Sequence, residues 1–122
     1  MSASEIGAKL VAHCRANTEG EALETLYAPD AVSVEAVDNG GGRETHGIDG
    51  IRGKHAWWAE NFEVHDASVS DAMPHGADRF AVIFGMDVTH KASGNRSQMQ
   101  EVGLYHVADG KIVREEFFYP SG

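Results

Sequence analysis

Three glutamates stand where strand-forming residues surround them, and carboxylates so placed can move protons. Glu35 interrupts the apolar, β-branched run AVSVEAV (31–37). Glu101 and Glu115 lie in the closing stretch QEVGLYHVADGKIVREEFFY, which ends at Tyr119 and also carries Tyr105. If the three face one apolar cavity, burial and mutual repulsion raise at least one carboxyl pKa. One carboxylate could then abstract a proton while a neutral one donates a hydrogen bond to the developing enolate, with Tyr119 as a second donor. Such general acid–base help is worth about 10²–10⁴ in rate. The competing reading is plain: glutamates on strands are usually solvated or paired with basic neighbours, and Arg43, Arg79, Arg96 and Arg114 are available.

Whether these groups share a face depends on the turn at Ala108-Asp109-Gly110. Alternation of apolar and polar residues on both sides of Asp-Gly is a strong hairpin signal. With a two-residue loop, Glu101 faces Phe118 and points away from Glu115. With a three-residue loop, Glu101, Gly103, Tyr105, Glu115, Phe117 and Tyr119 share one side, because a one-residue slip turns every side chain over. The pattern alone is nearly neutral between the two.

Other reactive residue types carry weaker signals. The seven histidines show no H-x-H, H-x-x-x-H or HExxH spacing, so no metal site is expected. His55 and His65 could contribute polar contacts to a cavity. Cys14 falls on an apolar helical stripe and reads as a packed small hydrophobe. Gly40-Gly41-Gly42 lacks the Lys-Ser/Thr and the following helix of a phosphate loop, and reads as a hairpin turn with Asp38 and Asn39. Trp57 and Trp58 leave a helix about 100° apart, so only one can line a cavity.

The elements that must position these groups follow from periodicity. Ile6, Leu10, Val11 and Cys14 mark a helix over Ala3–Asn17, with Ser2 or Ser4 as its cap. A short helix over Glu21–Ala28 presents Leu23, Leu26 and Tyr27. A strand over Ala31–Val37 and a return strand over Arg43–His46 follow. Asp49 is expected to cap a third helix, Gly50 to Asn61, with Ile51, His55, Trp58 and Phe62 on one stripe. Strands are expected over Phe62–Ala72 and Arg79–His90, the second apolar on both faces and so covered on both. Met73-Pro74-His75-Gly76 reads as a turn between them. Helices gathered on one face of an antiparallel sheet give the α+β class.

Composition sets the outer bounds. The chain has 122 residues, 42% hydrophobic, enough for one domain with a workable core. Its formal charge of −9 argues against nucleic-acid binding. No apolar run is long enough for a membrane span, and the N-terminus lacks the pattern of a signal peptide. One cysteine suits a reducing cytoplasm, which is the expected location.

The segments LYAPDAVSVEA (26–36), HGIDGIRGKHAWW (46–58) and VADGKIVREEFFY (107–119) make the chain resemble a known family. It looks like the SnoaL-like polyketide cyclases of the nuclear-transport-factor-2-like superfamily, which also holds ketosteroid isomerase. The resemblance spans 1–122 as a single SnoaL-like domain. It implies a cystatin-like cone: a bent, mixed but mainly antiparallel sheet of about six strands with three helices on its concave face. It places Glu35 at the position of the general base in ketosteroid isomerases. Their oxyanion tyrosine falls near Ala12, and their second donor, like the cyclases' aspartate, falls at about Gly103. Both groups are therefore missing here, and Glu101 lies two residues earlier on the same face. The family's inward positions favour the three-residue loop.

On this reading Glu35, Glu101, Glu115 and Tyr119 are the catalytic candidates. His55, Trp58, His65, Phe84, Met86, Tyr105 and Phe117 would line the substrate, with no metal and no cofactor. Val102, Leu104, Phe118 and Ile83 would leave an apolar patch on the opposite face, which points to a homodimer, as the family implies. Two functions fit. One is proton transfer, cyclisation or hydration on an apolar carbonyl-type substrate. The other is a non-catalytic ligand-binding or dimerisation module of the same fold.

Overall fold

The computed structural model describes residues 2–38 and 40–120; Asn39, part of the glycine turn, lies outside them. Two helices come first. Helix α1 (Ala3–Ala16) starts at a capping box: Ser2 accepts from the Glu5 amide, and the Glu5 carboxylate reaches back to the Ser2 amide. Its stripe of Ile6, Leu10 and Val11 is buried, and it ends at Asn17 in the left-handed conformation (φ 58°). Helix α2 (Glu19–Leu26) begins two residues earlier than its apolar pattern suggests and buries Ala22, Leu23 and Leu26.

Strand β1 (Tyr27–Val34) and the short β2 (Glu44–His46) form the expected antiparallel return, with Val34 opposite Glu44. Helix α3 (Gly47–Asn61) starts earlier than expected. His46 takes the cap position, and Asp49 lies in the first turn, bonded to Arg52 at 3.0 Å rather than to a backbone amide. Beyond it come β3 (Phe62–Val69), β4 (Met73–His75), β5 (Arg79–His90), β6 (Arg96–Ala108) and β7 (Lys111–Phe118). Strand β4 replaces an expected turn. It pairs with Arg79–Ala81 at the sheet margin, where Pro74 lacks only a hydrogen bond the margin does not need.

The seven strands form one mixed sheet in the order β2-β1-β7-β6-β5-β3, with β4 alongside β5. Only β1 and β7 run parallel among the paired strands. All three helices contribute to one core with the inner face of the sheet: Ile6, Leu10, Leu23 and Ile51 meet Phe80, Val82, Tyr105 and Ile112. The outer face carries no helix. Strand β5 is therefore covered on one side only: Phe80 and Val82 are sealed, whereas Ile83 is 36% exposed. Its apolar outer residues reflect the uncovered face, not a second layer.

The closing hairpin reaches the expected arrangement by a different route. Ala108 pairs with Lys111, so the loop is the two residues Asp109 and Gly110, both left-handed at φ 51° and 74°. Three residues were expected. Farther along, Val107 pairs with Ile112 but His106 pairs with Arg114, which leaves Val113 as an extra residue in a β-bulge. The bulge restores the parity that the short loop would have reversed. Tyr105 opposes Glu115 and Gly103 opposes Phe117, so both pairs face inward.

Because Gly110 holds a positive φ, Gly110→Ala is expected to cost about 1–2 kcal/mol, read as a lower urea midpoint with an unchanged slope. No change in midpoint would show that the loop relaxes out of this geometry.

Candidate active site

The parallel pairing of β1 with β7 sets Ser33 beside Glu115 on the inner face. Glu35 follows one residue past the end of β1. Its amide donates to the Arg43 carbonyl at 2.8 Å, and its own carbonyl accepts from Arg43 Nε at 2.9 Å, so its backbone is fixed from both sides. Helix α3 crosses over β1 and brings Lys54 down onto this pair. Lys54 Nζ donates to Ser33 Oγ at 2.7 Å and lies 3.1 Å from Glu35 Oε2. It also sits 5.6 Å from the centre of the Phe117 ring, within cation–π range. Tyr119 approaches the other Glu35 oxygen at 3.5 Å.

Glu115 is sealed at 3% exposure, and Tyr27 donates to its Oε2 at 3.0 Å. Burial pushes its carboxyl up to about 7, against the opposing pull of the Tyr27 hydrogen bond, the Lys54 charge and the Ser33 hydrogen bond. Glu101 is also pushed up to about 7, first by burial and then by repulsion from Glu35 and Glu115, with Lys54 offsetting part of it. The difference lies in contacts. Glu101 has no hydrogen-bond partner among the described residues, whereas Glu35 and Glu115 both do. Near neutral pH the inner face thus carries one tied carboxylate, one sealed carboxyl and one unattached carboxyl.

The rest of the expected site divides. Phe84 lies on the inner face opposite Glu101, and Met86 opposite Met99. Phe117 meets the Tyr105 ring edge-on at 6.3 Å. Trp58 stacks on Phe62 at 4.1 Å, while Trp57 is 57% exposed. His55 is exposed on α3. His65 is not brought to the carboxylates: it sits at an irregularity in β3 and bonds Thr89 Oγ1 at 2.7 Å on the outer side. Cys14 packs against the core with its thiol pushed up to about 12 by burial, so it stays protonated.

None of the four arginines pairs with a site carboxylate. Among the described residues Arg43 bonds only the Glu35 backbone, and Arg79, Arg96 and Arg114 pair with Asp78, Asp87 and Glu116. The partner is Lys54, which the sequence reading missed along with Ser33 and Tyr27. Its signal was present: Lys54 lies between Ile51 and Trp58 on the same helical stripe, where a cation has a reason to be. The group is not a closed apolar chamber, since Lys54 and Glu35 remain 26% and 29% exposed at their side chains. Two surface concavities, of about 600 and 400 Å³, lie elsewhere and include none of these carboxylates.

A carboxyl held above its unfolded value binds more protons in the folded chain. Its share of stability is therefore largest at acid pH and is lost as pH rises from about 4.5 to about 7. Glu115→Gln removes that loss at one site. Its stability advantage over the unmodified chain is expected to grow from pH 4 to pH 8 by a few kcal/mol, at about 1.4 kcal/mol per pKa unit. Urea titrations at pH 4, 6 and 8 check this; an advantage that stays constant or shrinks would remove the electrostatic account.

The comparisons with known proteins agree with the fold. The family model described as SnoaL-like domain matches residues 1–119. A crystal structure from Mesorhizobium loti, described as a candidate SnoaL-like polyketide cyclase, is 40% identical with a TM-score of 0.91, covering 98% of this chain and 100% of that one. An NTF2-like protein from Burkholderia thailandensis shares the fold at 16% identity and TM-score 0.84, covering 98% and 92%. A protein with a cystatin-like fold from Xanthomonas campestris does so at 18% identity and TM-score 0.78, covering 99% and 92%. None of the curated proteins matches the sequence. The chain belongs to the SnoaL-like domain family.

Proposed function

We propose that the protein is a small cofactor-independent enzyme that moves a proton beside the carbonyl group of an apolar substrate, in an isomerisation, cyclisation or hydration. The observation that carries this reading is Glu101, an inward carboxyl without a partner among the described residues and poised at about 7. A general base is most effective when its pKa lies near the working pH. Glu35, the base position by resemblance, is engaged by Lys54 and is better suited to positioning that ammonium. In the step proposed, the Glu101 carboxylate takes a proton from the carbon next to the carbonyl. The resulting enolate oxygen faces the Lys54 ammonium and the Tyr119 hydroxyl, and Glu101 returns the proton to carbon. Glu115, sealed beneath, adds negative charge that keeps Glu101 basic. Phe84, Met86, Phe117 and Trp58 supply apolar wall. Likeness to the Mesorhizobium loti protein, described as a candidate SnoaL-like polyketide cyclase, supports a cyclase-type substrate.

The test is deuterium exchange at the α-carbon of cyclic β,γ-unsaturated ketones and β-diketones, followed by NMR. The unmodified chain should exceed buffer, and Glu101→Gln should lose roughly 10²–10⁴ of the rate. Equal rates in the two would remove the reading. No exchange by either, together with a Glu101 titration near 4, would favour a non-catalytic ligand-binding module, to which the missing side chain at Gly103 already lends some support.

We also propose that the chain works as one domain in the cytoplasm and pairs through its outer sheet face. Ile83, Val102 and Phe118 lie side by side across β5, β6 and β7, with Ile83 and Phe118 36% and 53% exposed. Light scattering is expected to show a dimer at micromolar concentration and Phe118→Asp a monomer. A monomeric unmodified chain would overturn the pairing.

A further inference from the structure

Among the described residues, two polar side chains are sealed in the core, Ser33 at 0% and Glu115 at 3% exposure, and the β1–β7 register sets them side by side. A buried hydroxyl costs stability unless it is bonded, and Ser33 has a partner in Lys54 Nζ at 2.7 Å. An ammonium carries three hydrogens and no acceptor, so the serine oxygen must accept in this contact. Its one hydrogen is left for another acceptor, and the neighbouring carboxylate takes it: Ser33 hydrogen-bonds Glu115 in the sense that favours the ionised form. The chain runs on from Lys54 to Glu35 Oε2 at 3.1 Å. No buried side-chain nitrogen or oxygen among the described residues lacks a partner, so this arrangement is complete without a ligand.

The directions of these bonds depend on the charge of Glu115. While it is ionised, it accepts from both Tyr27 and Ser33. Donation by Ser33 polarises its oxygen and makes it a better acceptor for Lys54, and the buried charge draws the ammonium the same way. A protonated Glu115 is itself a donor. Its O–H turns to the Ser33 oxygen beside it, the serine hydrogen loses its acceptor, and the pull on Lys54 disappears. Glu35 then holds the ammonium by itself.

The other groups facing Glu115 come from every layer around it. They are Tyr27 at the start of β1, Glu35 just past its end, Lys54 on α3, Glu101 and Tyr105 on β6, and Cys14 on α1. Tyr27 bonds Glu115 directly, and Lys54 reaches it through Ser33. Glu35, Glu101, Tyr105 and Cys14 act on it through space.

We infer that Ser33 is a positioning residue whose hydroxyl couples the charge of Glu115 to the place of the Lys54 ammonium. Lys54 sits between Ser33 and Glu35 while Glu115 is ionised, and moves to Glu35 alone once Glu115 binds a proton. The inner face therefore has two settings, selected by a proton at a site that no ligand needs to touch. The effect of this coupling on a reaction rate rests on the proton-transfer reading; the coupling itself does not.

NMR of the full chain without ligand tests it, from about pH 5 to about pH 9. The Glu115 carboxyl carbon, the Lys54 Cε and Nζ signals, and the Overhauser contact between the Lys54 Hε and Ser33 Hβ protons are followed together. In the unmodified chain the Lys54 signals should show a step at the Glu115 midpoint, and the Overhauser contact should weaken below it. Glu101→Gln should keep the step and Glu115→Gln should abolish it. Ser33→Ala should lose the step and raise the Glu115 midpoint by about one pH unit, because the carboxylate loses a donor. Ser33→Thr, which keeps the hydroxyl, should retain the step. An Overhauser contact that is constant across the Glu115 midpoint would overturn the inference even if the Ser33 variants do not fold. A step that survives in Ser33→Ala, or that vanishes in Glu101→Gln, would also overturn it. Because no substrate is present, failure here is distinct from failure of the deuterium-exchange test.

Discussion

The Lys54 ammonium is the charge on which the inner face depends. Three carboxylates share that face, and unit charges about 4 Å apart interact by roughly 4 kcal/mol at the effective dielectric of a protein surface. Lys54 holds Glu35 directly, takes Ser33 as a second anchor, and offsets the elevation of both Glu101 and Glu115. It can do so because Ile51, one turn earlier on α3, is locked into the core. The helix is thus a strut whose buried residue sets the height and whose lysine sets the charge. Removing one member of such a pair costs more than the pair itself contributes, because the remaining charges are left unopposed.

The two faces of the sheet handle charge differently. On the outer face, Arg96 grips both Asp87 oxygens at 3.0 and 2.8 Å, and Glu116 is shared by His106 and Arg114. Asp87 and Glu116 thus each have a basic partner in contact. On the inner face, carboxylates outnumber the ammonium set against them, and burial replaces neutralisation for Glu101 and Glu115. The outer pairs hold the strands in register in water, where they contribute little energy individually. The inner group is left with more carboxyl groups than Lys54 alone can offset.

Most of the architecture was legible in the residues. The stripes of α1 and α2 and the β5 strand follow from apolar spacing, whereas the inward direction of Glu101 and Glu115 came from the family's segments alone, and through a three-residue loop where the chain has two residues and a bulge. The partners were harder to see. Arginines looked like the natural mates for the glutamates, but a pairing 19 residues apart between a helix and a strand is set by how α3 crosses β1, and spacing does not reveal crossing. His65 was misplaced because its strand contains an irregularity, which alternation cannot register. Strand β4 was read as a turn because three residues with a proline carry too little pattern, and Tyr27 looked like a helix end although it opens a strand.

The extra residue at Val113 has a consequence for comparing this hairpin with others. What decides which side chains face inward is whether the register is odd or even, not how long the loop is. A two-residue loop followed by a bulge and a three-residue loop without one present the same set, merely opposed two residues along. Hairpins of unequal length are therefore equivalent at the level of the site, and an alignment gap here is silent about chemistry. Conversely, two hairpins of identical length differ completely if only one carries the bulge.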